Sequence, residues 1–172
     1  MRRPLVLALG AALLAGCAHV APPAFIPLPL PRLADCPGSL VATHELEGDW
    51  VIHERIRVRG EQVDEAYGLV VQKNGTRLVL IGLTPFGAKA FSLTQIGVEV
   101  WSESKLGPAL PVPPENVLRD LHRAHFLATV DPEFEGRTVR RDADGSVHVA
   151  SASCGYESTL VPVSVVNPAV TP

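Results

Sequence analysis

The chain has little that would grip a polyanion. Aromatic residues make up 5% of its 172 residues, the formal net charge is −3, and no basic run occurs. That balance argues against a nucleic-acid partner. Long apolar runs are missing after the N-terminus: no second stretch approaches the roughly 18 residues that a spanning helix needs. Cysteine is scarce, with three in all, at positions 17, 36 and 154. There is no glycine-rich phosphate loop, and Ser151 and Ser153 lie in no nucleophile-elbow pattern. Glu54, Asp64 and Glu65 form no pair that spacing alone can defend for acid–base work. The chain is therefore read as non-catalytic, with no cofactor and no metal.

What is present begins at the N-terminus, MRRPLVLALGAALLAGCAHV. Arg2 and Arg3 precede an apolar segment, Leu5 to Ala15, too short to span a bilayer comfortably. The segment ends in Leu14-Ala15-Gly16-Cys17, which resembles the lipobox of bacterial lipoproteins. That resemblance implies a signal peptide over 1–16, cleavage before Cys17, and lipid on its sulfur and new amine. The other reading is an ordinary secretory signal with an incidental cysteine. One acyl chain anchors only marginally, at about 0.8 kcal/mol per buried methylene, whereas several anchor permanently. Residue 18 is Ala rather than Asp, and by the enterobacterial sorting pattern this implies the outer membrane, facing the periplasm. Loss of Arg2 and Arg3 with the signal moves the formal charge from −3 to −5 and leaves 156 residues, enough for one domain.

With Cys17 lipidated, Cys36 and Cys154 remain. Two thiols in an oxidising compartment point to one disulfide, the alternative being two buried free cysteines. Residues 17–37, rich in proline, cannot form helix and read as an extended tether. Residues 38–168 form a single β-rich domain and 169–172 a tail.

Within the domain, Trp50 to Val58 alternates, with Trp50, Ile52, Ile56 and Val58 on one face and His53, Arg55 and Arg57 on the other. Gln62 to Gln72 follows, then a hairpin signal at Asn74-Gly75. Strands are expected at 77–84, 88–94 and 97–102. Leu78, Leu80 and Gly82 share one face of the third strand and Val79, Ile81 and Leu83 the other, so neither face is polar. After a proline-rich step, a helix is expected over 115–128, with Val117, Leu118, Leu121, Ala124 and His125 on its apolar side and Asp131-Pro132 as its stop. A hairpin over 138–149 turns at Asp144-Gly145, and a last strand runs from Tyr156 to Val166. The expected order is five strands, one helix, three strands: mainly β with minor α, a curved antiparallel sheet.

This order behind a lipobox is similar to the LolA/LolB-type lipoprotein carriers. It is nearer still to a related lipoprotein family associated with aryl-polyene lipid gene clusters, whose blocks resemble LVLIGLTPFGAKAFSL and PPENVLRDLHRAHF here. The resemblance implies an unclosed β-barrel whose helix lids an apolar concave face. The ligand would be a lipid, a lipoprotein acyl chain or a glycolipid in transit through the envelope. On that reading Leu78, Leu80, Phe86, Phe91, Leu93, Leu118 and Leu121 are candidates to line the cavity. The competing reading is a filled core and an interaction subunit of an envelope complex. His122 and His125 have helical metal-pair spacing beside Asp120, but no third ligand is identifiable. His122 is expected to face solvent and His125 to border the core. Arg119, Arg123, Arg137, Arg140 and Arg141 suggest a basic rim for anionic headgroups, against an ordinary solvated face.

Overall fold

The computed structural model describes residues 31–127 and 133–166. The signal peptide, Cys17, the tether up to residue 30 and the tail lie outside the described residues, as do Ala128 and Asp131-Pro132.

The strands form one antiparallel sheet. Its strands are β1 (Trp50–Gly60), β2 (Asp64–Asn74), β3 (Arg77–Leu83), β4 (Lys89–Ile96), β5 (Glu99–Ser104), β6 (Glu133–Phe134), β7 (Arg137–Arg141), β8 (Val147–Ser151) and β9 (Tyr156–Val166). Their order is β5-β4-β3-β2-β1-β9-β8-β7-β6, all antiparallel, and β5 and β6 do not meet. The sheet is thus open, with one helix, α1 (Pro114–His122), between β5 and β6. The two-residue β6 was not expected from sequence; nothing so short carries a period. At the β2–β3 hairpin Gly75 takes φ +56°, a conformation that costs glycine nothing and other residues a clash.

Alternation along the strands separates an inner from an outer face. Ile56, Val58, Tyr67, Leu69, Val71, Leu78, Leu80, Phe91 and Leu93 are buried in one cluster. Two register shifts interrupt the ladders, one at His53/Glu54 between β1 and β9 and one at Gly82/Leu83 between β3 and β4, of the kind that locally kinks and twists a sheet. The second shift puts both Ala90 and Phe91 on the buried side, where strict alternation separates them. A Cβ on Gly82 would lie 2.3 Å from Phe91 ring carbons, so the ring lies over a backbone that only glycine provides.

Two elements cover the inner face. Pro114 opens α1, suited to a first turn because it has no N–H to leave unpaired, and the helix continues as a π turn, Arg123–Leu127. Beside it runs a strap, residues 31–47. Its Leu33 N–H donates to Pro111 O at 2.8 Å, and Thr43 holds the far end through Gly97 and Thr76. Residues 31–37, assigned from sequence to the tether, lie in this strap, and Cys36 is bonded to Cys154 with Cα atoms 5.8 Å apart. Closing 118 residues of chain contributes about 5 kcal/mol in the chain-entropy account.

Candidate functional site: the helix over the concave face

α1 meets the sheet through Val117, Leu118, Leu121 and Ala124, all buried in the same cluster as the strand residues. Burial of four such side chains holds the helix by several kcal/mol, at about 25 cal/mol per Å² of apolar surface. Its remaining inward groups are polar, and each reaches a different element.

Asn116 holds the strap, accepting from Cys36 N–H at 2.8 Å and donating to Ala34 O at 2.9 Å. Asp120, with no exposed surface, accepts from Ser158 Oγ at 2.6 Å and Tyr156 Oη at 3.2 Å, with Arg137 Nε 3.6 Å away. Burial pushes this carboxyl up from 3.8 to about 6, against the pull of Ser158, Arg137 and Tyr156. Burial likewise pushes the Tyr156 hydroxyl above its usual range. Arg137 also donates to Pro37 O at 2.6 Å and to Cys36 O at 3.2 Å, and contacts Cys36 Sγ at 3.0 Å. One guanidinium therefore joins the helix, the strap and the disulfide.

His122 is fully buried, not solvent-facing as its sequence position implied. Helical phase alone cannot see the strap that packs on that side. Its Nδ1 accepts from Val41 N–H at 3.1 Å and its Nε2 lies 2.8 Å from Gln95 Oε1. Gln95 in turn donates to Val41 O and Gly97 O. The imidazole is neutral with its proton on Nε2, and burial, helped by His125, drives its pKa down to about 3. Both nitrogens are committed, so the metal-pair reading of His122 and His125 fails. Among the described residues no group of three His, Cys, Asp or Glu side chains could hold a metal.

At the π turn, His125 Nε2 stands 2.9 Å from Glu54 Oε1, whose side chain is buried. Glu54 sits in the inward phase of β1, between Ile52 and Ile56. That charge in an apolar phase was the sequence signal for this contact. Phe126 stacks at an angle on Trp50 and edge-on to His122, with centroids 5.9 and 5.1 Å apart.

Six of the seven cavity candidates, Leu78, Leu80, Phe91, Leu93, Leu118 and Leu121, come together here, each closed to solvent. Phe86 does not join them; it stands 97% exposed at the β3–β4 turn. The basic rim does not form either. Arg123 and Arg137 are buried, Arg119 pairs with Asp35 and Arg140 with Asp142, and Arg141 donates to Ala124 O. Helical spacing gave no sign that arginine would be spent on the strap. Ser151 is buried and Ser153 lies near Cys154; neither has a histidine partner among the described residues. Asp64 is an exposed partner of Arg57.

The sequence model of the family described as "Protein of unknown function (DUF3261)" matches residues 52–151, more than half of the chain. No curated protein matches it.

Proposed function

We propose, for a chain that belongs to the DUF3261 family, a non-catalytic role as a lipid-anchored protein of the outer membrane that faces the periplasm and binds an apolar ligand beneath α1. The ligand class is a lipid, an acyl chain or a glycolipid moving through the envelope. The observation that carries the reading is the mismatch between floor and fastening. The floor, Leu69, Val71, Leu78, Leu80, Phe91 and Leu93, is wholly apolar. The helix above it is fastened by polar groups, the buried Asn116, Asp120 and His122 and the partly exposed His125. Polar fastenings can be exchanged for water when a helix swings out, while the floor then needs an apolar guest.

The placement of the chain's entry supports the anchor. Pro31 lies against Glu61, Gln62 and Val63 at the β1–β2 turn. The β3–β4 turn, with Phe86 at its tip, is at the same end of the sheet, because β1 and β3 run in the same direction. From Cys17 to that end, a fully extended tether reaches about 40 Å at about 3.1 Å per residue. Within that reach the end of the sheet that carries Phe86 can meet the bilayer.

A second reading, an interaction subunit of an envelope complex, draws on the closure of the six floor and lid residues, which leaves no ligand room in this state. Native mass spectrometry of the detergent-extracted protein separates the two. Co-purified lipid, increased in Asp120→Asn, is expected of the carrier. A homogeneous lipid-free mass in both proteins overturns it in favour of the second reading.

A further inference from the structure

Among the described residues, the strap and helix pack on the inner face and none covers the outer face of the sheet, whose side chains the strand registers set in rows. One row runs Arg55–Gly68–Leu83–Lys89 across β1 to β4. The next carries Val70 and Ile81, and the one after that Val79 and, on β5, Trp101. Leu83, Ile81 and Val79 are half-buried and Trp101 is 52% exposed. Leu83, Ile81 and Val79 make an apolar line of about 13 Å along β3, at about 3.3 Å per residue, and Trp101 stands beyond its end, across Thr94 of β4. Two grooves border that line, each of about 310 Å³. The first lies between Arg55, Gly68, Leu83 and Pro85, the second between Ile81, Lys89 and Trp101. Gly68 supplies the depth of the first by lacking a side chain.

Charge is distributed unevenly along this line. Arg57 and Arg59 share Asp64, but Arg55 has no ion pair or hydrogen bond among the described residues. Lys89 has only the Ser92 hydroxyl, at 3.5 Å. Two uncommitted cations therefore flank the row nearest the β3–β4 turn, the end where the chain enters. At the far end of the second groove Arg77, which donates to Thr94 Oγ1 at 3.3 Å, and Glu103 offset each other, so the net positive charge lies at the Arg55–Lys89 row. An occupant with one anionic end and one apolar end fits in a single orientation.

We infer that this face holds one acyl chain of an anionic membrane lipid, its headgroup between Arg55 and Lys89 and its chain along Leu83, Ile81 and Val79 toward Trp101. The headgroup stays at the membrane-proximal end and the chain is drawn out of the bilayer onto the protein. The inference rests on the anchorage proposed above but not on the lid.

The test uses the full-length protein reconstituted in vesicles, carrying Trp50→Phe so that Trp101 is the one tryptophan left of two. The probes are phosphatidylglycerol and phosphatidylcholine brominated on their acyl chains. The expected result is loss of Trp101 emission with brominated phosphatidylglycerol and little with brominated phosphatidylcholine. Gly68→Leu fills the first groove, and Arg55→Glu reverses its charge; each abolishes the loss. A Cβ at Gly68 meets only Leu83 Cβ, at 3.8 Å, so that variant keeps its fold, checked by circular dichroism. Equal quenching by both lipids overturns the inference, because the face then merely lies on the bilayer. No quenching in palmitate-labelled, vesicle-bound protein overturns it while leaving the anchor intact. Unquenched protein that cross-links to a second copy through this face overturns it in favour of a dimer.

Discussion

His122→Gln is expected to change the protein's response to acid more than its stability at neutral pH. In the native state the imidazole is held neutral, its pKa driven from 6.5 to about 3 by burial. The unfolded chain takes up a proton near 6.5 and the folded one does not. Stability from this group is therefore complete above 6.5 and is lost as pH falls toward 3, at about 1.4 kcal/mol per pH unit. Between pH 6.5 and 5.0 the loss is about 2 kcal/mol. The glutamine keeps a donor for Gln95 but leaves Val41 N–H without the Nδ1 acceptor it has at 3.1 Å, a cost of about 1–3 kcal/mol. At pH 7.5 the variant should be the weaker protein by that amount. At pH 5.0 the wild type carries the additional acid cost and the variant does not, so the gap closes to roughly zero. Asp120 titrates in the opposite sense. Its raised pKa makes the fold gain stability as pH falls from about 6 toward 3.8, but it does so in both proteins and cancels in the difference. Urea unfolding at the two pH values, followed by tryptophan emission, reads the gap. A gap of the same size at both pH values would refute the buried neutral imidazole.

Three further outcomes are expected. Gly82→Ala should destabilise by about 1–3 kcal/mol, because its methyl would lie 2.3 Å from Phe91 ring carbons; an unchanged urea midpoint contradicts the packing. Leu80→Glu and Ile81→Glu should differ, since Leu80 is inside the core and Ile81 on the outer face: the first buries an unpaired charge and loses the fold, the second folds. Equal unfolding of both would mean that the outer face is covered after all. Cys17→Ser should abolish palmitate incorporation and leave uncleaved precursor, and wild-type labelling in that variant would exclude the anchor.

The strands were legible because their periods were clean. The alternation of Trp50, Ile52, Ile56 and Val58 against His53, Arg55 and Arg57 gives the inward face of β1, and Asn74-Gly75 gives the β2–β3 turn. The β4 pattern misleads at one place only, where a bulge opposite Gly82 puts Ala90 and Phe91 on one side. The helix was legible as an apolar stripe but not as a fastened lid. His122 reads as a solvent-facing residue when the helix is considered alone, and Asn116 and Asp120 carry no sign of their buried partners. The strap that holds Asn116 and His122 has no periodicity, since its backbone follows the helix rather than a sheet ladder, and Asp120 is met by Tyr156 and Ser158, which lie far along the chain. Arg137 was misread for the same reason: its partners, Pro37 and Cys36, lie about a hundred residues earlier in the chain. The apolar outer face of β3 was visible from Val79, Ile81 and Leu83, which stay half-buried with no described residue packed over them.

The central claim, that α1 is a displaceable lid over an apolar floor, is tested most directly by native-state amide hydrogen exchange. Amides of residues 114–127 and of β3 should be followed with and without a soluble lysophospholipid. The account predicts that the helix opens at a distinctly lower free energy than β3, and that the lipid changes exchange at the helix while β3 stays protected. Helix and strand exchanging together, at the free energy of global unfolding and unmoved by lipid, would contradict it.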